Sequence, residues 1–309
     1  MAYTPSNVEA WIAEEYDSDV LRAVDQTSAI ERIARRYPMA TDTRQIPRSA
    51  GLSVSAVDKG ARYGQQQIEA DAVTLVAKKL GAIIPINHED LQDPHVNVLD
   101  QVRLNWARSY AISLDNACLG VTGDADSSSR PFVSAYRSLT TSNSRTGYVA
   151  NDNVVVAGSG GVSYDDISEL LAALEESNYY EPGKLRVIAH PGARQALRNI
   201  KDDEGRPIFV YGQSGAEAST PTMLFGELPV EFSLGARTSA EMTDNPTGDR
   251  LMFLVNTDFL ALGVRSGPES AIASEDSGVG FEYDQALVKM RSRRAFSLTQ
   301  EQAAAVLVF

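Results

Sequence analysis

The clearest hydrophobic pattern in the chain runs from residue 185 to residue 211. Residues 185–188 form a short run rich in branched apolar side chains, which is typical of a buried strand. The dipeptide His190-Pro191 ends this run, because proline has no N–H for a sheet but suits the first turn of a helix. Apolar residues then recur at helical spacing: Ala193, Ala196, Leu197 and Ile200. The pattern predicts a strand, a helix and, at residues 208–211, a second strand.

Two further segments have the apolar periodicity of a helix. Residues 165–177 carry one apolar stripe, and Ser163 and Asp166 stand ahead of it with the spacing of a capping box. Residues 96–119 carry a longer series of apolar i, i+3 and i, i+4 pairs, which predicts one long helix. Cys118, the only cysteine, lies on this helix and is predicted to be a small core residue. A single cysteine also excludes an intrachain disulfide.

Residues 43–82 have the period-two pattern of two strands but no continuous apolar face. The chain turns through residues 58–64 and returns past three successive glutamines, Gln65 to Gln67. A two-stranded hairpin of this kind is marginally stable in water by itself. We therefore expect a long hairpin that is supported by another copy of the protein.

The first 42 residues are predicted to be an arm. Their helical stripes, the last of which ends at Pro38, carry too little apolar surface to fold alone and must pack on something else. Basic residues are clustered in the arm and the first predicted strand: Arg32, Arg35, Arg36, Arg44 and Arg48. Ion pairs with acidic neighbours or a solvated face are favoured over contact with nucleic acid.

The rest of the chain alternates loops and predicted strands. Residues 123–162 are rich in serine, threonine, glycine and asparagine, which predicts loops with one strand at 154–157. Further strands are predicted at 81–86, 224–230, 251–255, 259–264, 271–274, 285–298 and 303–309. Together with the helices, these segments predict an α+β protein with a buried C-terminal strand.

Composition narrows the functional classes. The chain has 309 residues, 43% of them hydrophobic, and a formal net charge of −13. This length allows one or two sizeable cores, whereas the acidic balance argues against binding nucleic acid by phosphate neutralisation. The sequence contains no apolar run near the roughly 20 residues that span a bilayer. A soluble protein made in a reducing cytoplasm is expected.

Three patterns imitate ligand sites. The glycines at 158–161 follow a strand as in a dinucleotide-binding turn, but Ser163 takes the third glycine position and no acidic residue ends the next strand. Asp124 and Asp126 open like a calcium loop that lacks its glycine and its closing glutamate. Residues 88–95 carry two histidines and three carboxylates, for which helix capping and solvated charge are favoured over a metal site. We predict no catalytic residues, cofactor or metal, and therefore no enzyme.

The order of several motifs resembles tailed-bacteriophage major capsid proteins. The resemblance lies in His190-Pro191 followed by residues 201–206 (KDDEGR), in Asp115 near the end of the long helix, and in residues 224–230. It implies the Hong Kong-phage-type capsid fold, with four regions. These are an N-terminal arm (1–42), an extended hairpin or E-loop (43–82), a peripheral domain with a long spine helix (83–150 and 257–297), and an axial domain with a central sheet flanked by helices (151–256 and 298–309).

The resemblance also implies a function. The chain would self-assemble as hexamers and pentamers into the icosahedral head of a tailed bacteriophage, made in the host bacterial cytoplasm and enclosing double-stranded DNA that it does not bind specifically. Scaffolding, portal and decoration proteins are the expected partners. Because only a short arm precedes the hairpin, we expect a separate scaffold protein or a sequence in its mature form. The residues expected to contact neighbouring subunits are Trp11, Tyr16, Lys59, Arg62 and Tyr63.

Two alternatives and one chemical question stay open at this level. An encapsulin-like compartment has the same fold around protein cargo, and a soluble nucleotide-binding enzyme would use the glycines at 158–161. Some members of the capsid family cross-link a hairpin lysine to an asparagine with the help of a glutamate. Here Lys59 is near the hairpin tip, but Gln285 and Ser292 take the asparagine and glutamate positions. Without a carboxylate to accept the lysine proton, we predict no cross-links.

Overall fold

The structure is a computed structural model that describes residues 27–49, 56–60, 62, 70–87, 89, 98–201, 222–224, 228–273 and 283–309. Its helices are α1 (Ala29–Ile33), α2 (Val98–Leu119), α3 (Ala135–Leu139), α4 (Tyr164–Glu175) and α5 (Ala193–Asn199). The strands of the N-terminal half are β1 (Arg35–Pro38), β2 (Thr43–Ser49), β3 (Ala70–Val76), β4 (Lys78–Asn87) and β5 (Val154–Val156). The remaining strands are β6 (Leu185–Ala189), β7 (Thr222–Leu224), β8 (Leu228–Phe232), β9 (Leu251–Asn256), β10 (Leu260–Ala273), β11 (Gln285–Leu298) and β12 (Ala304–Val308).

The chain divides into two compact units. The smaller unit contains the described residues of Ala82–Ala107 and Ser270–Met290. The larger unit contains those of Gln26–Gly81, Arg108–Glu269 and Arg291–Phe309. In the smaller unit, Ile86, Val288 and Met290 form a buried apolar cluster against Leu99, Val102 and Trp106 of α2.

The larger unit is built on a six-stranded sheet in the order β5-β12-β9-β6-β8-β7. The C-terminal strand β12 pairs in parallel with β5 and antiparallel with β9, and all five of its residues are buried. Helix α4 packs Ile167, Leu170 and Leu174 into the same apolar core. The predicted apolar C-terminal strand and the predicted stripe of this helix are therefore confirmed.

Helix α4 begins with the capping box that the sequence predicts. The Ser163 hydroxyl accepts a hydrogen bond from the Asp166 backbone N–H at 3.2 Å, and the Asp166 carboxylate accepts one from the Ser163 N–H at 2.8 Å. Two of the N–H groups that a helix start leaves unpaired are thereby satisfied.

The strand and helix around His190-Pro191 also form as predicted. β6 ends at Ala189, and α5 begins at Ala193 after the His190-Pro191-Gly192 turn. His190 Nδ1 accepts a hydrogen bond from the Gly192 N–H at 3.0 Å, so the imidazole does what an asparagine side chain does in a turn. The second predicted strand, at 208–211, lies outside the described residues.

Three expectations from the sequence are corrected by the pairing of strands. The final stripe of the arm is helical only to Ile33, because residues 35–38 pair in parallel with residues 261–264 of β10. Residues 259–264 and 271–274 were predicted as two strands, but residues 260–273 form the single long strand β10. Residues 224–230 are not one strand, since Leu224 of β7 lies opposite Leu228 of β8 in an antiparallel pair.

One helix was not expected from the sequence. α3 lies within the stretch predicted as loop, and Ser134 starts it by accepting a hydrogen bond from the Arg137 N–H at 3.0 Å. Its five residues are too few for periodicity to reveal, although a serine cap was a visible signal.

Candidate assembly surfaces

The hairpin is the first candidate surface, and we use this name for β2, β3 and the residues between them. The two strands pair antiparallel from Thr43 opposite Val76 to Ser49 opposite Ala70. A turn at Lys59-Gly60 lies between them, and Gly60 has a φ of 88°, which glycine adopts without strain. Lys59 and Arg62 are both exposed. The described part of the hairpin therefore presents charged side chains at its turn.

The end of the hairpin that is far from this turn is anchored by apolar contacts. Leu75 of β3 is fully buried and belongs to a cluster with Met39, Ala261 and Ala295, against which Ile46 of β2 also packs. A side chain at Gly263 would lie 2.5 Å from the Met39 sulfur, so glycine is what allows this close approach. The base of the hairpin is thus part of the folded larger unit.

A second anchor is polar, and we call it the root clamp: Arg48, Asp71, Arg145 and the carbonyl of Thr299. Arg48 and Asp71 lie opposite each other in the hairpin, and the Arg48 guanidinium donates to Asp71 Oδ2 at 2.8 and 2.5 Å. Arg48 also donates to the Thr299 carbonyl at 2.9 Å. Arg145 donates to the other Asp71 oxygen at 2.8 Å. These guanidinium groups, Arg48 first, hold the pKa of Asp71 down to about 2.

A buried joint lies at the C-terminal end of α2. The Asp115 carboxylate is buried and accepts hydrogen bonds from the Ser28 and Ser233 hydroxyls and from the N–H groups of Ala29, at 2.9 Å, and Ile30, at 3.2 Å. Burial raises the pKa of Asp115, and the four hydrogen bonds oppose that rise. The carboxylate therefore fastens the start of α1 and the residues after β8 to α2.

Asn116 completes the buried joint on the neighbouring position. Its side-chain amide donates to the carbonyls of Gly235, at 3.2 Å, and Arg237, at 2.8 Å. Its oxygen accepts from the Ser239 hydroxyl at 2.6 Å. A side chain at Gly235 would lie 2.7 Å from the Asn116 backbone nitrogen, which is why the chain passes this close to α2 only with glycine.

The residues relevant to cross-linking are also resolved. The Ser292 side chain is buried, and its hydroxyl lies 3.1 Å from that of Tyr110. Burial, first, and the charge of Glu31 raise the pKa of Tyr110. Glu31 is ion-paired with Arg294 at 2.7 Å. In the smaller unit, Gln285 donates to the Asn87 side chain at 2.9 Å. The absence of cross-links stays a prediction.

Ion pairs or carbonyl contacts engage most of the arginines that were noted in the sequence. Arg32 pairs with Glu231 at 2.6 Å, and Arg48 pairs with Asp71 in the root clamp. Arg36 donates to the Glu31 carbonyl at 2.7 Å. These contacts support the interpretation of this group as locally paired charge.

The glycines at 158–161 border a cleft of about 480 Å³ that Gln195, Asn199 and Arg250 also line. The N-terminus of α4 beside it is already capped by Ser163 and carries Asp165 and Asp166 in its first turn. A phosphate would meet two carboxylates at that helix end, which is unfavourable. The geometry therefore argues against a dinucleotide site.

The calcium-like loop and residues 88–95 are the two remaining segments that resemble ligand sites. Asp124 pairs with Arg137 at 2.9 Å and Asp126 with Arg130 at 2.8 Å, so both carboxylates of the calcium-like loop have partners. Within the described residues, no group of three or more potential ligands is placed to hold a metal ion. Of residues 88–95, only Glu89 is described. Among the helices described here, none has the length and apolar character to span a membrane.

The predicted contact residues are only partly visible. Lys59 and Arg62 are exposed, as a contact between copies requires, whereas Trp11, Tyr16 and Tyr63 lie outside the described residues. All five remain predictions. No sequence motif marks Asp71 and Arg145, since their contact depends on the hairpin register and on the packing of distant segments.

Comparison with known structures identifies the fold. A chain from Mycobacterium phage Ogopogo matches with a TM-score of 0.74 at 14% identity, over 100% of this chain and 99% of that chain. One from Mycobacterium phage Bobi matches with a TM-score of 0.72 at 20% identity, over 100% and 99%. The capsid of a native GTA particle computed with C5 symmetry matches with a TM-score of 0.72 at 15% identity, over 100% and 99%. The TM-scores show a common fold, and at such low identities the likeness shows the fold alone.

Sequence comparison identifies the family. No curated protein matches the chain in sequence. The model of the phage capsid family, however, matches residues 9–309, which is nearly the whole length. The protein therefore belongs to the phage capsid family.

Proposed function

We propose that this chain is the major capsid protein of a tailed bacteriophage and that it assembles as hexamers and pentamers into the icosahedral head. The observation that carries the proposal is a hairpin whose base packs in an apolar cluster of the larger unit and whose turn is exposed, in a chain of the phage capsid family. An isolated hairpin is marginal in water, so a partner surface is its natural support. In a closed shell every copy supplies that surface to another copy.

Exposed apolar side chains on both units support this proposal. In the larger unit, Val149 and Val156 are 65% and 68% exposed. In the smaller unit, Ile83 and Tyr283 are 60% and 65% exposed. Single exposed apolar residues are ordinary, but several of them on each unit provide apolar surface that contacts between copies can bury. Many modest contacts then add over a closed shell.

The six-stranded sheet supports the proposed axial domain. Every strand of the six-stranded sheet lies within residues 151–256 and 298–309, which we propose as the axial domain. We propose residues 1–42 as the arm, 43–82 as the E-loop, and 83–150 with 257–297 as the peripheral domain. Helix α2 is then the spine helix of the peripheral domain.

The charge of the chain bears on what the shell encloses. At a net charge of −13, the protein repels a phosphate backbone on average, so we propose that DNA is enclosed without being bound specifically. Scaffolding, portal and decoration proteins are proposed as partners, and the bacterial cytoplasm as the place of synthesis. We propose a structural, non-enzymatic role.

The experiment is assembly of the purified chain, followed by light scattering and negative-stain electron microscopy. Closed shells of uniform diameter are expected, with nucleic acid inside particles from infected cells. A compact monomer at all concentrations would overturn the proposal. A co-purifying protein cargo would instead identify an encapsulin-like compartment, and a small oligomer that binds nucleotide would identify a soluble enzyme.

The predicted tip contacts have their own test. Replacing Lys59 and Arg62 together by glutamate should lower the yield of shells by about tenfold, with no change in the circular dichroism of the unassembled subunit. The matched control is replacement of Lys184 by glutamate, since this partly exposed lysine is ion-paired far from the hairpin in sequence. Equal yields from both variants would remove the two tip residues from the contact.

A further inference from the structure

The root clamp lies close to the last strand pair of the hairpin that the structure describes. Within that register, Arg48 and Asp71 are the last pair but one, followed by Ser49 and Ala70. Both members of this pair are held from outside the hairpin: Arg48 by the Thr299 carbonyl and Asp71 by Arg145. Both strands of the hairpin are therefore attached by hydrogen bonds to the rest of the larger unit at this pair.

The root clamp and the apolar anchor act at different points along the same strand. Leu75 of β3 is buried in the apolar cluster, and Asp71 precedes it by four residues, on the side of the hairpin turn. At about 3.3 Å per residue, the two attachments are about 13 Å apart. One attachment would leave a strand free to swivel, whereas two attachments at this spacing define its direction.

Arg145 is itself held in position by the larger unit. Its backbone N–H donates to Asn143 Oδ1 at 3.1 Å, and the Asn143 amide donates to Glu301 Oε1 at 2.8 Å. Thr146 donates to the other oxygen of Glu301 at 3.0 Å. Glu301 is buried, so Arg145 reaches Asp71 from a loop that is fastened to buried structure.

We propose that the root clamp, with Asp71 as its central positioning residue, sets the direction in which the hairpin leaves the subunit and so determines how neighbouring copies fit together. This inference rests on the proposed assembly function. About eleven residues separate Asp71 from the turn at Gly60, a length of chain that spans at most about 36 Å. A tilt of about 10° at the root clamp would displace the far end by up to about 6 Å.

Exposure separates this role from a role in holding the fold together. Within the root clamp, the Arg48 and Asp71 side chains are only 18% and 21% exposed, whereas the Arg145 side chain is 71% exposed. The ion pair that Arg145 makes is therefore one that contributes little to the stability of the fold. Direction, in contrast, needs only that the contacts favour one orientation over others. With a pKa of about 2, the Asp71 carboxylate stays charged even in moderately acidic solution, so the root clamp is in place under ordinary assembly conditions.

The test uses the full chain with Arg145→Ala, Arg145→Lys and Asp71→Asn. The matched control is Arg130→Ala, which removes a partly exposed arginine paired with Asp126 at 2.8 Å, away from the hairpin in sequence. Hydrogen exchange of the β2 and β3 amides is measured in unassembled subunits. We expect about tenfold faster exchange in Arg145→Ala and Asp71→Asn, and wild-type exchange in Arg145→Lys and Arg130→Ala.

The second readout is the product of assembly. Wild type, Arg145→Lys and Arg130→Ala should form shells of one diameter, whereas Arg145→Ala and Asp71→Asn should form at least about threefold more open or misshapen particles. A purely structural role would lower the unfolding midpoint without changing particle shape. Unchanged exchange and unchanged particles in Arg145→Ala and Asp71→Asn would overturn the inference, as would an equal effect of Arg130→Ala.

The two proposals fail in different ways. If wild-type protein forms no shells, the proposed function is wrong, and with it the effect of the root clamp on particle shape. If wild-type protein forms shells and the variants form the same shells, only the inference about the root clamp is wrong.

Discussion

Asp115 in the buried joint and Asp71 in the root clamp each accept several hydrogen bonds from distant segments, but their surroundings are opposite. Asp115 is fully enclosed and has neutral donors, two hydroxyls and two backbone N–H groups. Asp71 is partly buried, with its side chain 21% exposed, and its donors are two charged guanidinium groups. Burial raises the pKa of Asp115, whereas the arginines lower that of Asp71 to about 2.

This difference indicates different roles. A buried acceptor with several donors is costly to remove, because each orphaned donor keeps its desolvation penalty. The Asp71 carboxylate, in contrast, has the exposed Arg145 among its donors, and water can take its place at that guanidinium when it is removed. The buried joint therefore stabilises the larger unit, and the root clamp orients the hairpin at little benefit to stability.

The largest effect is expected from Asp115→Ala. It leaves two hydroxyls and two N–H groups without their acceptor, which should lower the free energy of unfolding by about 4 kcal/mol. Chemical denaturation of the unassembled subunit measures the change. Asp115→Asn keeps one acceptor oxygen and should lose less. A loss below about 1 kcal/mol in Asp115→Ala would show that the buried joint is dispensable.

Asn116→Ala should have the next largest effect. The change strands the carbonyls of Gly235 and Arg237 and removes the acceptor of Ser239, which should cost about 2 kcal/mol in unfolding free energy. The same denaturation experiment applies, with Asn105→Ala on the same helix as the control. Equal losses in the two variants would contradict a specific role for Asn116.

A third titratable group has intermediate burial. His190 has its pKa lowered to about 4, first by burial and then by the charges of Arg237 and Arg250. Since the unfolded chain binds a proton near pH 6.5 and the folded chain only near pH 4, stability is lost as pH falls through that window. We expect a loss of about 1 kcal/mol between about pH 7 and pH 5, after allowance for solvent screening.

Thermal unfolding of wild type and His190→Asn at these two pH values measures that loss. Asparagine accepts the same turn hydrogen bond and does not titrate, so the difference between the two proteins should vanish at neutral pH and grow toward pH 5. Parallel pH profiles would show that other groups cause the dependence.

The smallest effect on stability is expected at the root clamp. Asp71→Asn and Arg145→Ala should leave the unfolding midpoint of the subunit unchanged while they alter particle shape. Raising the salt concentration should loosen the hairpin amides of wild type toward the rate of these variants, because exposed charge pairs are screened. A lowered midpoint in either variant would remove the contrast with Asp115.

Much of the architecture follows from local pattern. The capping box of α4, the strand and helix around His190-Pro191, the hairpin strands and the buried C-terminal strand are visible in the sequence because each depends on neighbouring residues. The pattern fails where a distant partner decides. Residues 35–38 continue a helical stripe but pair with β10, since strand hydrogen bonds there outweigh a short helical tendency.

The sequence by itself thus determined most of the elements, the acidic and single-cysteine character of the chain, and its resemblance to capsid proteins. Only the tertiary structure decided that Asp115 fastens Ser28 and Ser233, and that Asp71 meets both Arg48 and Arg145. The physical reason is that periodicity reports which face of one element is apolar, whereas hydrogen-bond partners far apart in the chain are set by register and packing.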